Sequence, residues 1–256
     1  MKTQTFSSRE QQMEAGAFKR KTRIAFSVFF AMFIIGGISF YFLFNQPKSA
    51  DNVQPALRSV MQANEQLFSR MFSVNRQVKL YKKPEAVPKV RVNGDVGMGA
   101  DFNQATWKLK VARRPGDTLV LTIDDIKALP KREVIFDFKC VEGWDQVTHW
   151  GGVRVGDFLM KYNLTAQTAM KYMGMVTPDG TYYVGIDMPS MLQPQTILCY
   201  EMNGQPLPKI QGAPLRLIIP VKYGIKHLKR IGTIFFSNTK PRDYWAELGY
   251  DYYAGL

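Results

Sequence analysis

The stretch Phe138-Lys-Cys-Val-Glu-Gly-Trp144, continued by Thr148-His-Trp-Gly-Gly-Val153, decides how the rest of this chain is read. The residues EVIFDF (133–138) have the composition of a strand. That strand delivers Cys140 into a turn that contains Gly143 and is flanked by Trp144 and Trp150, with Lys139 beside it. A lone cysteine at a strand end is ordinarily a packed, inert thiol. A neighbouring cation or a metal would instead lower its pKa and give the thiolate, the form that ligates soft, high-valent metals. Both readings fit these residues.

Downstream lies a second informative stretch: Asn203-Gly-Gln-Pro-Leu-Pro208, then Gln211-Gly-Ala-Pro-Leu-Arg-Leu-Ile-Ile-Pro220, then Lys222-Tyr-Gly-Ile-Lys-His-Leu-Lys-Arg230. Gly204 and Gly212 allow backbone to approach a ligand closely, and Arg216, Lys222, Lys226, Lys229 and Arg230 gather positive charge in one loop region. Such a loop suits a phosphate, and a solvated basic loop fits the same composition.

Around these two stretches the pattern is mostly strands. WKLKV (107–111), TLVLT (118–122), KYMGMV (171–176), TYYVGI (181–186), ILCYEM (197–202), LRLIIP (215–220) and IGTIFF (231–236) join EVIFDF as strand candidates, separated by Pro, Gly and Asn turns. Thr122-Ile-Asp-Asp125 has the form of a helix capping box, and residues 153–162 read as a second short helix. No internal repeat interrupts this order. The expectation is one α+β domain with mixed sheet over residues 83–256.

Upstream, Ile24 to Phe44 is an uncharged run of 21 residues, IAFSVFFAMFIIGGISFYFLF. As a helix it would extend roughly 31 Å, about the hydrocarbon thickness of a bilayer. Residues 1–23 carry Lys2, Arg9, Lys19, Arg20, Lys21 and Arg23 against Glu10 and Glu14, so this basic tail is expected in the cytoplasm and everything after the span on the periplasmic side of the inner membrane. The run exceeds a signal-peptide core and ends in Tyr-Phe-Leu-Phe, not a small-residue cleavage site, which favours a permanent anchor. Lys19-Arg20-Lys21 stands where a twin-arginine signal would have adjacent arginines.

Residues 45–82 then read as linker and amphipathic helix. From Pro55, the residues Leu57, Val60, Met61, Leu67, Phe68, Met71 and Phe72 fall near helical spacing, a face that would pack on the domain or lie on the membrane or a partner. Residues 82–89, with Pro84 and Pro88, read as a second linker.

Several function classes are disfavoured. The net charge of +13 includes no basic run with interleaved aromatics of the RNA-binding kind, so nucleic acid is not the expected partner. The two cysteines, Cys140 and Cys199, do not form a zinc or c-type haem motif. With only His149 and His227, and neither a G-x-S-x-G nor an H-E-x-x-H motif, a hydrolase is poorly supported.

Taken together, C-V-E-G-W with its following W-x-G, and N-G-x-P-L-P with G-A-P-L-R-L and P-x-K-Y-G-x-K-x-x-K, resemble the molybdopterin-binding domain of the sulfite oxidase family, which includes the bacterial periplasmic methionine-sulfoxide reductase catalytic subunit. The resemblance runs from about Val90 to the C-terminus, including Tyr244-Trp245 and Gly249-Tyr250. It implies a β-rich three-layer fold, a molybdenum-molybdopterin cofactor (Mo-MPT) and Cys140 as catalytic metal ligand. Carried over by position, it implies cofactor contacts at Thr177, Gln211, Arg216, His227, Leu228 and Lys229, and more loosely at Arg91 and Asn93, where a plain Asn-Gly turn fits equally. Trp144, His149 and Trp150 are candidates for the substrate pocket.

The activity so implied is oxygen-atom transfer, either reduction of a sulfoxide or N-oxide or oxidation of sulfite. The chain has no haem, flavin or nicotinamide fingerprint, so its electrons would be exchanged with a separate haem protein. The alternative is a membrane-tethered binding module that keeps the fold without the metal.

Overall fold

A computed structural model describes residues 8–48, 53–92, 94–99 and 102–255. They divide into two compact units, one ending at Ser59 and the other running from Val60.

The first unit is dominated by helix α1 (Ser8–Phe44). Within it, Gly16–Phe44 forms a 29-residue stretch long and apolar enough to cross a membrane, with none of its sequence buried against protein. The helix begins upstream of the expected Ile24, because Lys19, Arg20, Lys21 and Arg23 are good helix formers and continue the backbone ladder. Helix α2 (Pro55–Met71) follows with no buried residue. Its first residues close this unit and its remainder, from Val60, opens the second.

In the second unit one sheet holds β1 (Leu109–Arg114), β2 (Asp117–Leu121), β5 (Tyr172–Val176), β6 (Tyr183–Asp187) and β10 (Thr233–Ser237), in the order β2-β1-β10-β5-β6. Only β1 and β10 run parallel. The other sheet is antiparallel: β3 (Lys131–Lys139), β4 (Asp145–Arg154), β7 (Ile197–Met202) and β8 (Gln205–Pro206), with β9 (Arg216–Ile218) also on β7. Short helices α3 (Ile123–Lys127), α4 (Val155–Lys161), α5 (Met188–Met191) and α6 (Tyr244–Glu247) complete this α+β fold. Helix α3 starts at the expected capping box: Thr122 Oγ1 accepts from the Asp125 N–H at 3.1 Å, and Asp125 Oδ2 accepts from the Thr122 N–H at 2.7 Å.

All eight expected strands are present; the two-residue β8 is additional, and so is β4. Gly151 and Gly152 hide it from a reading based on β-branched composition, yet the close packing of this sheet needs Gly152. A Cβ there would collide with the Leu198 carbonyl and Cys199 Cα on β7.

The larger core lies between the sheets, joining Leu109, Val111, Met175, Ile186, Leu217 and Leu228 among others. A second core covers the opposite face of the β3-β4-β7 sheet with Val134, Phe136, Phe138, Trp150 and Cys199. This second face carries the site.

The segment between α2 and the first sheet strand is bound to the domain. Gln195 clasps Val78, accepting its N–H at 2.8 Å and donating to its carbonyl at 3.0 Å, while Gln193 donates to the Arg76 carbonyl at 2.9 Å. Further on, the Tyr81 N–H reaches the Ile135 carbonyl and the Val87 N–H the Val147 carbonyl, each at 2.9 Å.

Candidate active site

Strands β3 and β4 form a hairpin whose tip is Cys140 to Trp144. The Cys140 N–H donates to the Trp144 carbonyl at 2.9 Å, the Gly143 N–H to the Cys140 carbonyl at 3.1 Å, and Gly143 takes φ +83°. Cys140 is thus the first residue past the strand, held in a closed turn. Burial pushes its thiol pKa up, partly offset by the Glu142 backbone N–H. Cys199 is also a buried thiol, and burial raises it to about 12.

Below the hairpin opens a cavity of about 250 Å³. Its wall includes Phe138, Val141, Glu142 and Trp144 from the hairpin, Trp150 from β4, and Gln211, Arg216, His227 and Lys229 from the second sequence stretch. Arg91 and the neighbouring Val90 join them. Cys140 itself is covered by these neighbours and is not on the wall as the side chains stand.

The topology explains why two cations meet here. Arg216 and Lys229 face each other across an isolated antiparallel bridge, so their side chains emerge on one face. Gly212 (φ +99°) lets the preceding loop press onto Lys229, where a Cβ would not fit. Arg216 donates to the Gln211 side-chain oxygen at 2.9 Å and to the Gln211 carbonyl at 3.1 Å, and its guanidinium lies 4.7 Å from the Trp150 ring centre. Gln211 in turn donates to the Val90 carbonyl at 3.3 Å, fixing the loop that carries Arg91.

Burial lowers Arg216 to about 10. Lys229 falls to about 8, first through burial and then through Arg216 beside it. The Arg216 Nε has no partner. Among the described residues no carboxylate forms an ion pair with either cation.

The remaining expected site residues are placed as follows. His227 lies on the wall as a neutral imidazole: Nδ1 accepts from the Ile219 N–H at 3.4 Å, Nε2 donates to the Lys222 carbonyl at 3.1 Å, and burial with nearby Arg216 lowers its pKa to about 3. Leu228 points into the inter-sheet core, and its N–H and carbonyl bond Lys226 and Leu217. Thr177 is buried off the wall, donating to Asp179 at 2.5 Å and accepting from the Tyr182 N–H at 3.1 Å. Asn93 lies outside the described residues.

His149 is also not on the wall. Successive strand residues face opposite sides, so Trp150 turns to the cavity and His149 away from it, 3.4 Å from Glu133. Arg91 reaches over the Trp144 ring at 4.7 Å, with its backbone N–H held by Gln146 at 2.9 Å. Tyr182, Ile225, Trp245 and Tyr250 also line the wall without having been singled out as site residues, although Trp245 and Tyr250 belong to the characteristic C-terminal pattern.

Among the described residues no cluster of three or more His, Cys, Asp or Glu side chains is placed to hold a metal ion alone. A metal here would have to bring donor atoms of its own, with a single cysteine completing its shell. The orphaned Arg216 Nε and the unpaired Lys229 fit the anionic end of such a group. A pterin bearing a phosphate and a dithiolene-bound metal meets both conditions.

Comparisons with known proteins agree. The family model for the oxidoreductase molybdopterin binding domain matches residues 96–245. The chain is 31% identical over 207 residues to YedZ1 of Azospira oryzae, whose assignment as a protein-methionine-sulfoxide reductase subunit is provisional; the match covers 80% of this chain and 78% of that protein. It is 29% identical over 178 residues to the protein-methionine-sulfoxide reductase catalytic subunit MsrP of Campylobacter jejuni, covering 63% of this chain and 60% of that one. The solved sulfane dehydrogenase SoxCD of Paracoccus pantotrophus superposes at TM-score 0.48 with 15% identity, over 68% of this chain and 53% of that one, too loosely to add to the assignment. With the family model spanning more than half of its length, the chain belongs to the oxidoreductases with a molybdopterin-binding domain, and its cofactor is molybdenum-molybdopterin.

Proposed function

We propose that this protein is the membrane-anchored catalytic subunit of a methionine-sulfoxide-type reductase. The observation that carries the reading is the pair of buried cations Arg216 and Lys229, side by side on the wall below the Cys140 hairpin, neither of them in an ion pair with a carboxylate among the described residues. When bound, the cofactor supplies a two-electron couple: sulfoxide, two electrons and two protons give sulfide and water.

Arg216 and Lys229 hold the cofactor's phosphate by charge-assisted bonds. The Gln211 amide, Lys229 and Arg91, all on the wall, would satisfy donors and acceptors of the pterin, whereas Thr177, committed to Asp179 and Tyr182, and Leu228, with its N–H and carbonyl already bonded, would reach it only after local rearrangement. Cys140 would hold the metal as a thiolate, so ligation there would require release of the proton that burial favours on the free thiol. His227, held neutral by burial, keeps its single ring proton on the Lys222 carbonyl and takes up no second one at working pH.

Trp144, Trp150, Tyr182, Trp245 and Tyr250 give the cavity an aromatic lining, which suits a neutral thioether-like substrate better than an anion. His149, on the other face of β4, would reach substrate only through Glu133 or a shift of the strand.

In this reading helix α1 is the anchor, and the basic flank of its N-terminal end favours the periplasmic side for the catalytic domain. Electrons come from a separate haem protein held at the same membrane. The test compares turnover of methionine sulfoxide and sulfite by purified holoenzyme: sulfoxide reduction is expected, and sulfite oxidation alone would overturn the reading.

A further inference from the structure

Helix α2 leaves an apolar stripe uncovered. Val60, Leu67, Phe68 and Met71 are each more than half exposed, and Val74 beyond the helix is exposed too. Helical spacing puts Val60, Leu67, Phe68 and Met71 on one side and Gln62, Gln66 and Ser69 on the other. The helix is nevertheless fixed to its domain. Glu65 pairs with Lys240 at 2.5 Å, and Phe72 packs against the inter-sheet core. The stripe is therefore presented outward by a fixed element.

We infer that this stripe lies on a lipid surface, seated among the headgroups of an anionic bilayer. Three observations favour lipid over other occupants. Residues 55–82 carry five cations (Arg58, Arg70, Arg76, Lys79 and Lys82) against Glu65 alone; Glu65 is already paired with Lys240, and Lys83 just beyond is taken up by Glu133. Only ten residues, 45–54, separate the end of α1 from the start of α2, a reach of at most about 36 Å, so a bilayer crossed by α1 is always within range. Pairing with a second copy would need an apolar seam over three or four heptads flanked by complementary charges, and this 17-residue helix has neither.

The inference rests on the reading of α1 as a membrane span, and the experiment separates the two. Full-length holoenzyme is reconstituted into vesicles of phosphatidylethanolamine and phosphatidylglycerol, with an environment-sensitive dye on one introduced cysteine: Phe68→Cys on the stripe, Gln66→Cys opposite it, or Phe33→Cys within α1. Cys140 and Cys199 are buried and escape labelling.

Spin-labelled lipid is expected to quench the Phe68→Cys dye roughly twofold or more, and the Gln66→Cys dye little. Replacing phosphatidylglycerol with phosphatidylcholine should reduce the Phe68→Cys signal. Quenching at Phe33→Cys without quenching at Phe68→Cys would overturn the inference and leave the anchor standing. Absence of quenching at both would remove the anchor as well. A Phe68→Cys dye shielded from water but not quenched by lipid, in a particle of dimer mass, would assign the stripe to a second copy and overturn the inference.

Discussion

The Arg216 guanidinium stacks over the Trp150 ring, 4.7 Å from its centre, so the cation that faces the cavity is positioned by an aromatic plane and by Gln211. A planar fork can satisfy both contacts and still present Nε–H to a ligand, and an ammonium cannot. Arg216→Lys should therefore lose most bound cofactor although charge is kept. Arg216→Met removes a desolvated charge together with its bonds, so the stability of cofactor-free protein should change by no more than about 1–2 kcal/mol. Pterin and molybdenum assays alongside thermal unfolding check this; full cofactor occupancy in Arg216→Lys would rule out the proposed phosphate contact.

Lys229 sets a pH dependence with a definite sign. Its pKa is about 8 in the fold, below the ordinary lysine value of 10.5, so the unfolded chain binds the extra proton more tightly. The stability of cofactor-free protein should rise with pH between about 8 and 10.5, and below 8 the full burial penalty applies, roughly 3 kcal/mol for this group. Lys229→Met should flatten that rise. Anion binding has the opposite trend, weakening above pH 8 as the ammonium is lost. Chemical denaturation and phosphate titration of cofactor-free protein across this range measure both, and an unchanged slope in Lys229→Met would refute the assignment.

Cys140 and Cys199 should respond differently to serine. Cys140→Ser exchanges a soft donor for a hard one, so turnover should collapse while pterin stays largely bound through Arg216 and Lys229. Cys199→Ser lies in the core behind β4 and should cost about 1 kcal/mol or slightly more, with activity retained. Turnover, metal content and paramagnetic resonance of the +5 metal distinguish them. Equal damage from the two substitutions would count against Cys140 as the ligand.

His227 is expected to be silent in catalysis near neutrality. With a folded pKa of about 3 against 6.5 unfolded, its neutral form contributes stability that is complete above pH 6.5 and is lost progressively as pH falls toward 3. Its imidazole nitrogen resonances should not move between pH 5 and 8 on the order of a full titration. A His227 titration midpoint near 6.5 would show that the ring is not sealed as the structure has it.

The Cys140 turn and the Arg216–Lys229 region were legible because each is local: a strand, a glycine turn and a run of charges are properties of neighbouring residues. The cavity wall was less so. Tyr182, Ile225 and Trp245 reach it from separate parts of the chain, and only the sheet topology brings them to one face. His149 shows the cost of overlooking β4. Once Asp145–Arg154 is seen as a strand, alternation alone puts His149 and Trp150 on opposite faces, but Gly151-Gly152 lacks the β-branched signature that would have revealed it.

The clasp of Gln195 on Val78 consists wholly of neutral amides, whereas the Glu65–Lys240 contact is ionic and partly exposed. Rising ionic strength weakens the second and scarcely touches the first. The two fastenings therefore let go in sequence: salt frees the middle of α2 while its root stays riveted at Val78, making the helix a hinged flap whose pivot is indifferent to salt and whose latch is not.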